Sequence, residues 1–409
     1  MLKRVSRGGV ALKNCCGICL AAKRLNRYAF HAVAVMIVAL PLVCAAQTIT
    51  ANAASEFEEH ASVGVRALQT LYAKDTGLYD TTGWWNSANA ITVLDNYMEL
   101  SHSKEYRPIL DNTFSMAQRT NKDFLNKFYD DEGWWGLAWI STYDLTRNPK
   151  YLAMAEVIFK DMAGGWSDDV CGGGIWWSKD RQYKNAIANE LFLSVAAHLA
   201  NRVANAKDKE QYLSWAKREW QWFSASGMIN AKRLINDGLI SKRPSSCVNN
   251  GQTTWSYNQG VILGGLAELA TAEKDPAPLD VAHSVADAAL HQLTDARGIL
   301  HDQCEPNCGE DGVQFKGIFL RNLMELEEAS PRPEYKIFAE KNAASIWLSS
   351  QSDRHQFGQV WSGPFDAGNA GSQSAALDAI VAAAQMNKPQ APKACQKRPR
   401  VRHSSNEDH

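Results

Sequence analysis

The stretch NAIANELFLSVAAHLA, residues 185–200, decides the fold. Its apolar residues fall on nearly every side rather than along one stripe, which predicts a helix buried all round. The segment after it, near 207–226, is more charged and keeps a single apolar stripe, which predicts a helix half exposed to water. Outward in both directions the same alternation recurs. All-round apolar helices are expected over 85–100, 134–145, 185–200, 257–270, 315–327 and 374–385, each preceded by an amphipathic one. The amphipathic helices are expected near 55–74, 103–126, 149–163, 207–226, 278–294 and 333–350. No run of strand-like alternation is long enough to build a sheet. Six buried helices alternating with six half-exposed ones predict two concentric rings, an all-α (α/α)6 barrel. An open solenoid would carry a tighter repeat, whereas these units vary from roughly fifty to over seventy residues.

The segments entering the inner helices share a composition. They read TTGWWNS, YDDEGWWG, WSDDVCGGGIWW, NNGQTTWSYNQG, EDGVQFKG and SGPFDAGNAGSQS, rich in Gly, Trp, Asp and Asn. All six lead from an outer helix to an inner one, so topology places them at one end of the barrel. Glycine lets backbone approach a ligand closely and tryptophan offers a flat stacking surface. Any single loop reads better as loop and helix-capping chemistry. Six of them at one mouth make that mouth the candidate site.

Bulk properties narrow the function. The chain has 409 residues, 45% hydrophobic and 21% charged, with a formal net charge of -1. That is a globular composition without the basic excess of a nucleic-acid-binding protein. Its 14 tryptophans serve either as core or as platforms for the apolar faces of sugar rings. At the N-terminus Lys23, Arg24 and Arg27 precede the apolar run AFHAVAVMIVALPLVCAA, with small residues at Ala45 and Ala46. Residues 1–46 are therefore expected to be a signal peptide with an extended basic start. The alternative is an uncleaved anchor, but the run is at the short end for a span and Pro41 interrupts it. No stable membrane insertion is expected after cleavage. The expected domain covers 55–387, and 388–409, Pro-rich and basic without apolar period, reads as a disordered tail. Five cysteines follow the cut. Cys304 and Cys308 lie close enough to bridge locally, and Cys171 and Cys247 lie in two mouth loops, leaving Cys395 over. HDQCEPNCGED also sets His301 and Asp302 beside two cysteines, a possible zinc arrangement, but no second pair follows at finger spacing.

YDDEGWWGLAWI carries the acids Asp130 and Asp131 side by side at the entry to the second inner helix. Adjacent side chains in a turn can place their carboxyls about 5 Å apart, the separation of a retaining glycosidase pair rather than of an inverting one. Two carboxyls this close resist double ionisation, which raises one pKa as a general acid requires. An aspartate at a helix start also serves as an N-cap. A second pair, Asp168 and Asp169, precedes the third inner helix, and spacing does not separate the two pairs.

The stretch NKFYDDEGWWGLAWISTYDLTRNPKYLAMAE resembles the signature of glycoside hydrolase family 76, the endo-α-1,6-mannanases. CGGGIWW (171–177), KNAIANELFL (184–193), TTWSYNQGVILGGLAEL (253–269) and FKGIFLRNL (315–323) are similar to that family's other blocks, in the same order. The resemblance implies an (α/α)6 barrel acting with retention through two consecutive aspartates, with no metal and no organic cofactor. Carried over, Asp130 becomes the nucleophile and Asp131 the acid/base, in preference to Asp168 and Asp169. Trp134, Trp135, Trp176, Trp177, Tyr257, Asn258 and Gln259 are candidates to bind sugar, with barrel packing or capping as the alternative for each. The expected activity is cleavage of α-1,6-mannosidic linkages in α-mannan. The location is secreted or cell-surface, periplasmic in a Gram-negative host. A cell-wall transglycosidase of the same mechanism and a non-catalytic carbohydrate-binding barrel are the competing functions.

Overall fold

The computed structural model describes residues 53–243 and 246–388. The expected signal peptide and nearly all of the tail lie outside the described residues. Helix α1 covers residues 53–69. After it come α2 (Trp84–Ser101), α3 (Arg107–Met116), α4 (Tyr129–Thr146), α5 (Pro149–Ala163), α6 (Ala186–Arg202) and α7 (Ala206–Ala225). The remainder are α8 (Ser256–Glu273), α9 (Ala277–Gln292), α10 (Phe315–Ala329), α11 (Pro333–Ser349) and α12 (Ala370–Asn387). Two short hairpins interrupt the helices, β1 (Tyr72–Ala73) with β2 (Leu78–Tyr79), and β3 (Leu239–Arg243) with β4 (Ser246–Asn249).

The even-numbered helices form a closed ring. α2 packs on α4, α4 on α6, α6 on α8, α8 on α10, α10 on α12, and α12 returns to α2. Every residue of α6 from Ala186 to Ala200 is buried, as a helix apolar all round requires. Odd-numbered helices pack outside, α5 on α4, α7 on α6, α9 on α8 and α11 on α12. In α7 only Ala216, Glu219 and Phe223 are buried, the single stripe of an outer helix. The (α/α)6 barrel expected from the alternation is the fold observed.

Two outer helices are shorter than expected, each for a local reason. The helix expected over 55–74 stops at residue 69, because Lys74–Gly77 turns back to form the β1–β2 hairpin, with Gly77 at φ 72°. The helix expected over 103–126 stops at Met116 and gives way to short 3₁₀ turns at Ala117–Arg119 and Lys122–Phe124. Asp123 and Phe124 there take left-handed conformations that no α-helix continues.

One polar device recurs where loops meet inner helices. The loops before α2, α6, α8 and α12 fold back as a hairpin or a single bridge, pairing Tyr72 with Tyr79, Trp166 with Ile175, Ile229 with Ile235 and Gln351 with Phe357. The fourth residue of the next inner helix then accepts the returning backbone N–H. Ser87 takes that of Tyr79 (3.1 Å), Asn189 that of Ile175 (2.7 Å), Gln259 that of Ile235 (2.7 Å) and Gln373 that of Phe357 (2.7 Å). Asn189 and Gln259 also donate to the carbonyls of Ile175 and Ile235 (3.1 and 2.9 Å). An amide suits the place because it satisfies a donor and an acceptor at once in a dry interior. The fourth residue of α4 is Glu132, which accepts from Asn126 N (3.0 Å). The disulfides Cys171–Cys247 and Cys304–Cys308, with Cα atoms 5.1 and 4.7 Å apart, tie the longer loops.

Candidate active site

The long loops converge on the end of the barrel where the inner helices begin. Asp130 and Asp131 are the second and third residues of α4, inside its first turn rather than ahead of it. They do not act as the cap, because the N-cap residue is Phe128, without a side-chain bond. Both acids line a cleft of about 420 Å³ with Trp85, Phe128, Trp134, Trp177, Tyr183, Asn185, Asp237, Tyr257, Asp311 and Phe315.

Each acid has one fixed oxygen. Trp177 donates from Nε1 to Asp130 Oδ2 (3.0 Å), and Asn126 donates from Nδ2 to Asp131 Oδ2 (2.6 Å). Asn126 is itself held, its Oδ1 accepting from Phe128 N (2.8 Å) and its backbone N–H bonding Glu132. Lys179 then bridges Glu132 and Asp161, at 2.8 Å from each. Asp130 Oδ1 is buried with no partner. Burial pushes the Asp130 carboxyl well above the usual aspartate range, and the charge of Asp131 pushes it further. Asp131 is raised as well, again chiefly by burial, against the hydrogen bond from Asn126, which favours its ionised form. The pair thus retains a proton at pH values where isolated aspartates have lost theirs.

The expected binding residues divide. Trp177, 37% exposed, covers Asp130. Trp134 lies in the cleft wall between Trp85 and Tyr257, at ring-centroid distances of 5.5 and 6.4 Å, and Tyr257 stacks on Phe315 at 3.8 Å. Three other candidates are corrected. Trp135 is fully buried and packs on Trp84, Phe124 and Trp139 in the core. Trp176 lies behind the cleft, where the Lys184 ammonium sits 4.9 Å from its ring. Gln259 is consumed by Ile235, as described above. Asn258 is fully buried outside the lining, and neither its amide oxygen nor its nitrogen has a partner.

Asp168 is no longer a rival. Its carboxylate accepts from Trp166 Nε1 (2.8 Å) and pairs with Arg218 (2.8 Å) on the surface, and these bonds, Trp166 first, hold it below the usual range. The glycines before Trp176 also serve packing, since a Cβ on Gly173 or Gly174 would collide with the Trp222 ring. As for metal, Cys304 and Cys308 are joined to each other, and His301 bonds Glu305 (3.1 Å). Among the described residues no group of His, Cys, Asp and Glu is arranged to hold a metal ion.

Several lining residues escaped the sequence. Trp85, in the first turn of α2, donates from Nε1 to Oδ1 of Asp311, in the loop before α10, at 2.8 Å. Tyr183 donates to Asp237 Oδ2 (2.5 Å) and receives a bond from Asn250 (2.8 Å). Nothing in the sequence marked Asp237, because it precedes β3 rather than an inner helix.

Residues 45–395 match the sequence profile of the family described as Glycosyl hydrolase family 76. The chain is 26% identical over 349 residues to the mannan endo-1,6-alpha-mannosidase DCW1 of Saccharomyces cerevisiae, covering 78% of this chain and 76% of that protein. It is 25% identical over 331 residues to DFG5 of Candida albicans, described by the same enzyme name, covering 73% and 72%. Among solved structures, it shares its fold with an α-1,6-mannanase of Salegentibacter sp., with a TM-score of 0.72, 24% identity, and coverage of 81% of this chain and 99% of that one. That structure is of an inactive variant, with two adjacent aspartates replaced by asparagine, in complex with α-1,6-mannotriose.

Proposed function

The chain belongs to glycosyl hydrolase family 76, and from that premise we propose that it cleaves α-1,6-mannosidic linkages with retention of configuration, through Asp130 and Asp131. The carrying observation is the pair itself: two adjacent carboxyls at the floor of an aromatic cleft, each with one oxygen fixed, and Asp130 Oδ1 left free. The names of the relatives, and the mannotriose bound by the Salegentibacter enzyme, support mannan as the substrate class.

In the first step Asp130 Oδ1 attacks the anomeric carbon while Asp131 gives its proton to the leaving glycosidic oxygen. A covalent glycosyl ester forms and the C–O bond to the leaving sugar breaks. In the second step Asp131 takes a proton from water, whose oxygen displaces Asp130 from the same carbon. Burial raises both acids and the charge of Asp131 raises Asp130 further, so the pair holds a proton between them. Positive charge developing on the sugar beside Asp130 favours its ionised form and transfers the proton to Asp131. Trp85, Trp134, Trp177, Tyr257 and Phe315 offer flat faces to the sugar rings, and Asp237 and Asp311 offer acceptors to its hydroxyls.

We further propose export. Two disulfides favour an oxidising compartment. No helix of the described residues is long and apolar enough to cross a membrane.

The test uses both single alanine variants on linear α-1,6-mannan and on an aryl α-mannobioside, with and without azide. Asp130→Ala should fail on both substrates, since no ester can form. Asp131→Ala should lose about 10²–10⁴-fold on mannan, still form the ester from the activated aryl substrate, and turn over with azide to an α-mannosyl azide. Rescue of Asp130→Ala to that same α-azide instead would reverse the roles. Near-normal rates in both variants would discard the pair. Oligomers longer than the substrate supplied would make the protein a transglycosidase.

A further inference from the structure

At the opposite end of the barrel, where the inner helices finish, lies a second cavity of about 540 Å³, in the size range of small-molecule sites. All six inner helices line it. Their C-terminal carbonyls point this way, so the end carries the negative poles of six helix dipoles. Its side chains deepen that potential. Asp95 and Glu99 enter from α2, Asp144 from α4, Arg147 from the residue that caps it, and His198 and Arg202 from α6. Glu268 enters from α8, Arg321, Glu325 and Glu328 from α10, and Gln385 from α12.

The cations of this cavity are already committed. Arg202 is bonded to Asp144 (2.6 Å) and Glu268 (2.9 Å). Arg321 is bonded to Asp378, behind the wall, at 2.9 Å. Arg147 reaches Asp144 at 3.2 Å. Among the described residues that leaves Asp95, Glu99, Glu325 and Glu328 without a bonded arginine or lysine. Asp95 is only 1% exposed, and while its Oδ2 accepts from Thr142 (2.7 Å), its Oδ1 is buried without a partner. Glu325 Oε2 and Gln385 Oε1 are also buried and unsatisfied. Buried acceptors of this kind are costly, and a donor supplied from outside would satisfy them.

We propose that this cavity is a second binding site, for a small organic cation of the linear polyamine class. Three features select that chemistry. The excess of carboxyls repels anions. A neutral sugar brings no positive charge to set against the helix C-termini. A bare metal ion requires ligands converging on one point, and among the described residues no such group exists. Unpaired carboxyls on α2 and α10 instead suit ammonium groups spaced along a flexible chain.

Protons must move when such a ligand binds. Burial raises Asp95 and Glu325 above the usual carboxyl range and pushes Glu328 up to about 7. An ammonium group favours their ionised forms, so binding releases protons and strengthens as pH rises. His198 faces the same carboxyls, 3.8 Å from Glu325 and 3.5 Å from Glu268.

The experiment is calorimetric titration of the exported chain with spermidine at pH 6 and pH 8, in two buffers of different ionisation enthalpy. Saturable binding with proton release, stronger at pH 8, is expected. Glu325→Gln/Glu328→Gln should weaken it by at least about tenfold and leave mannan hydrolysis unchanged. Gln385→Lys, which sets a tethered ammonium in the cavity, should abolish it, so the outcome does not depend on one variant folding. Asp237→Asn/Asp311→Asn, at the other mouth, should retain it. The proposal falls if spermidine does not bind at either pH. It falls equally if binding survives the cavity variants and disappears with the cleft variant. Either result leaves the mannanase reading untouched.

Discussion

Asp130 and Asp131 are neighbours in sequence but not in environment. Trp177 holds one and Asn126 the other, and burial raises both. A raised carboxyl keeps its proton to higher pH, so both limbs of the kcat/KM profile on α-1,6-mannan should lie above the range of ordinary aspartates, with the enzyme active at neutral pH. Asn126→Ala adds a sign. Losing a donor to the carboxylate disfavours the charged form, so the Asp131 pKa should rise and the profile should move up by about one unit. A profile that stays in place, with only the rate reduced, would show that Asn126 acts on position alone.

At the scale of the element, the inner helices owe their registration to a few polar residues at their N-terminal turns. Ser87, Asn189, Gln259 and Gln373 each seize the backbone of the preceding loop, and Glu132 does so on α4. Gln259 looked like a sugar ligand because it stands in the mouth motif WSYNQG, but its amide is fully spent on Ile235 and on the Trp255 carbonyl. Gln259→Leu keeps the volume and removes those bonds, stranding a buried N–H and C=O. The expected cost is about 3 kcal/mol, seen as a lower urea midpoint with unchanged m-value, while KM for mannan stays near that of the parent. A large rise in KM without loss of stability would return Gln259 to the substrate. Disulfide Cys171–Cys247 acts at the same scale, joining the loop before α6 to the β3–β4 hairpin before α8.

The whole molecule is polarised along the barrel axis. Inner helices start at a cleft lined by Asp130, Asp131, Asp237 and Asp311 and finish at a cavity with its own surplus of carboxyls. Helix N-termini, whose positive poles favour anions, thus surround Asp130 and Asp131, yet desolvation outweighs them and both carboxyls stay raised. The proposal of export concerns the whole chain too. The protein recovered from the culture medium or periplasm should begin near Gln47, as N-terminal sequencing would establish, with Cys171, Cys247, Cys304 and Cys308 unreactive to alkylation before reduction. A cell-retained chain that still begins at Met1, with four free thiols, would refute it.

By itself the sequence determined the helix order and the placing of Asp130 and Asp131 at the start of α4, at the barrel end where the long loops gather. These are legible because burial imprints a period on the chain, because a βαβ or sandwich fold would need strand alternation that is absent, and because loop chemistry is local. Trp134 and Trp135 show where legibility stops. They are adjacent on α4, about 100° apart around the axis, and one faces the cleft while the other joins the core. An amphipathic helix would have declared its faces, but one that is apolar all round has no stripe to read. Asp237, Tyr183 and Asn185 come to the acids from other segments, and the surplus charge at the far end depends on which carboxyls each arginine reaches. Those pairings are contacts across the ring, long-range in the chain, and only closure of the barrel decides them.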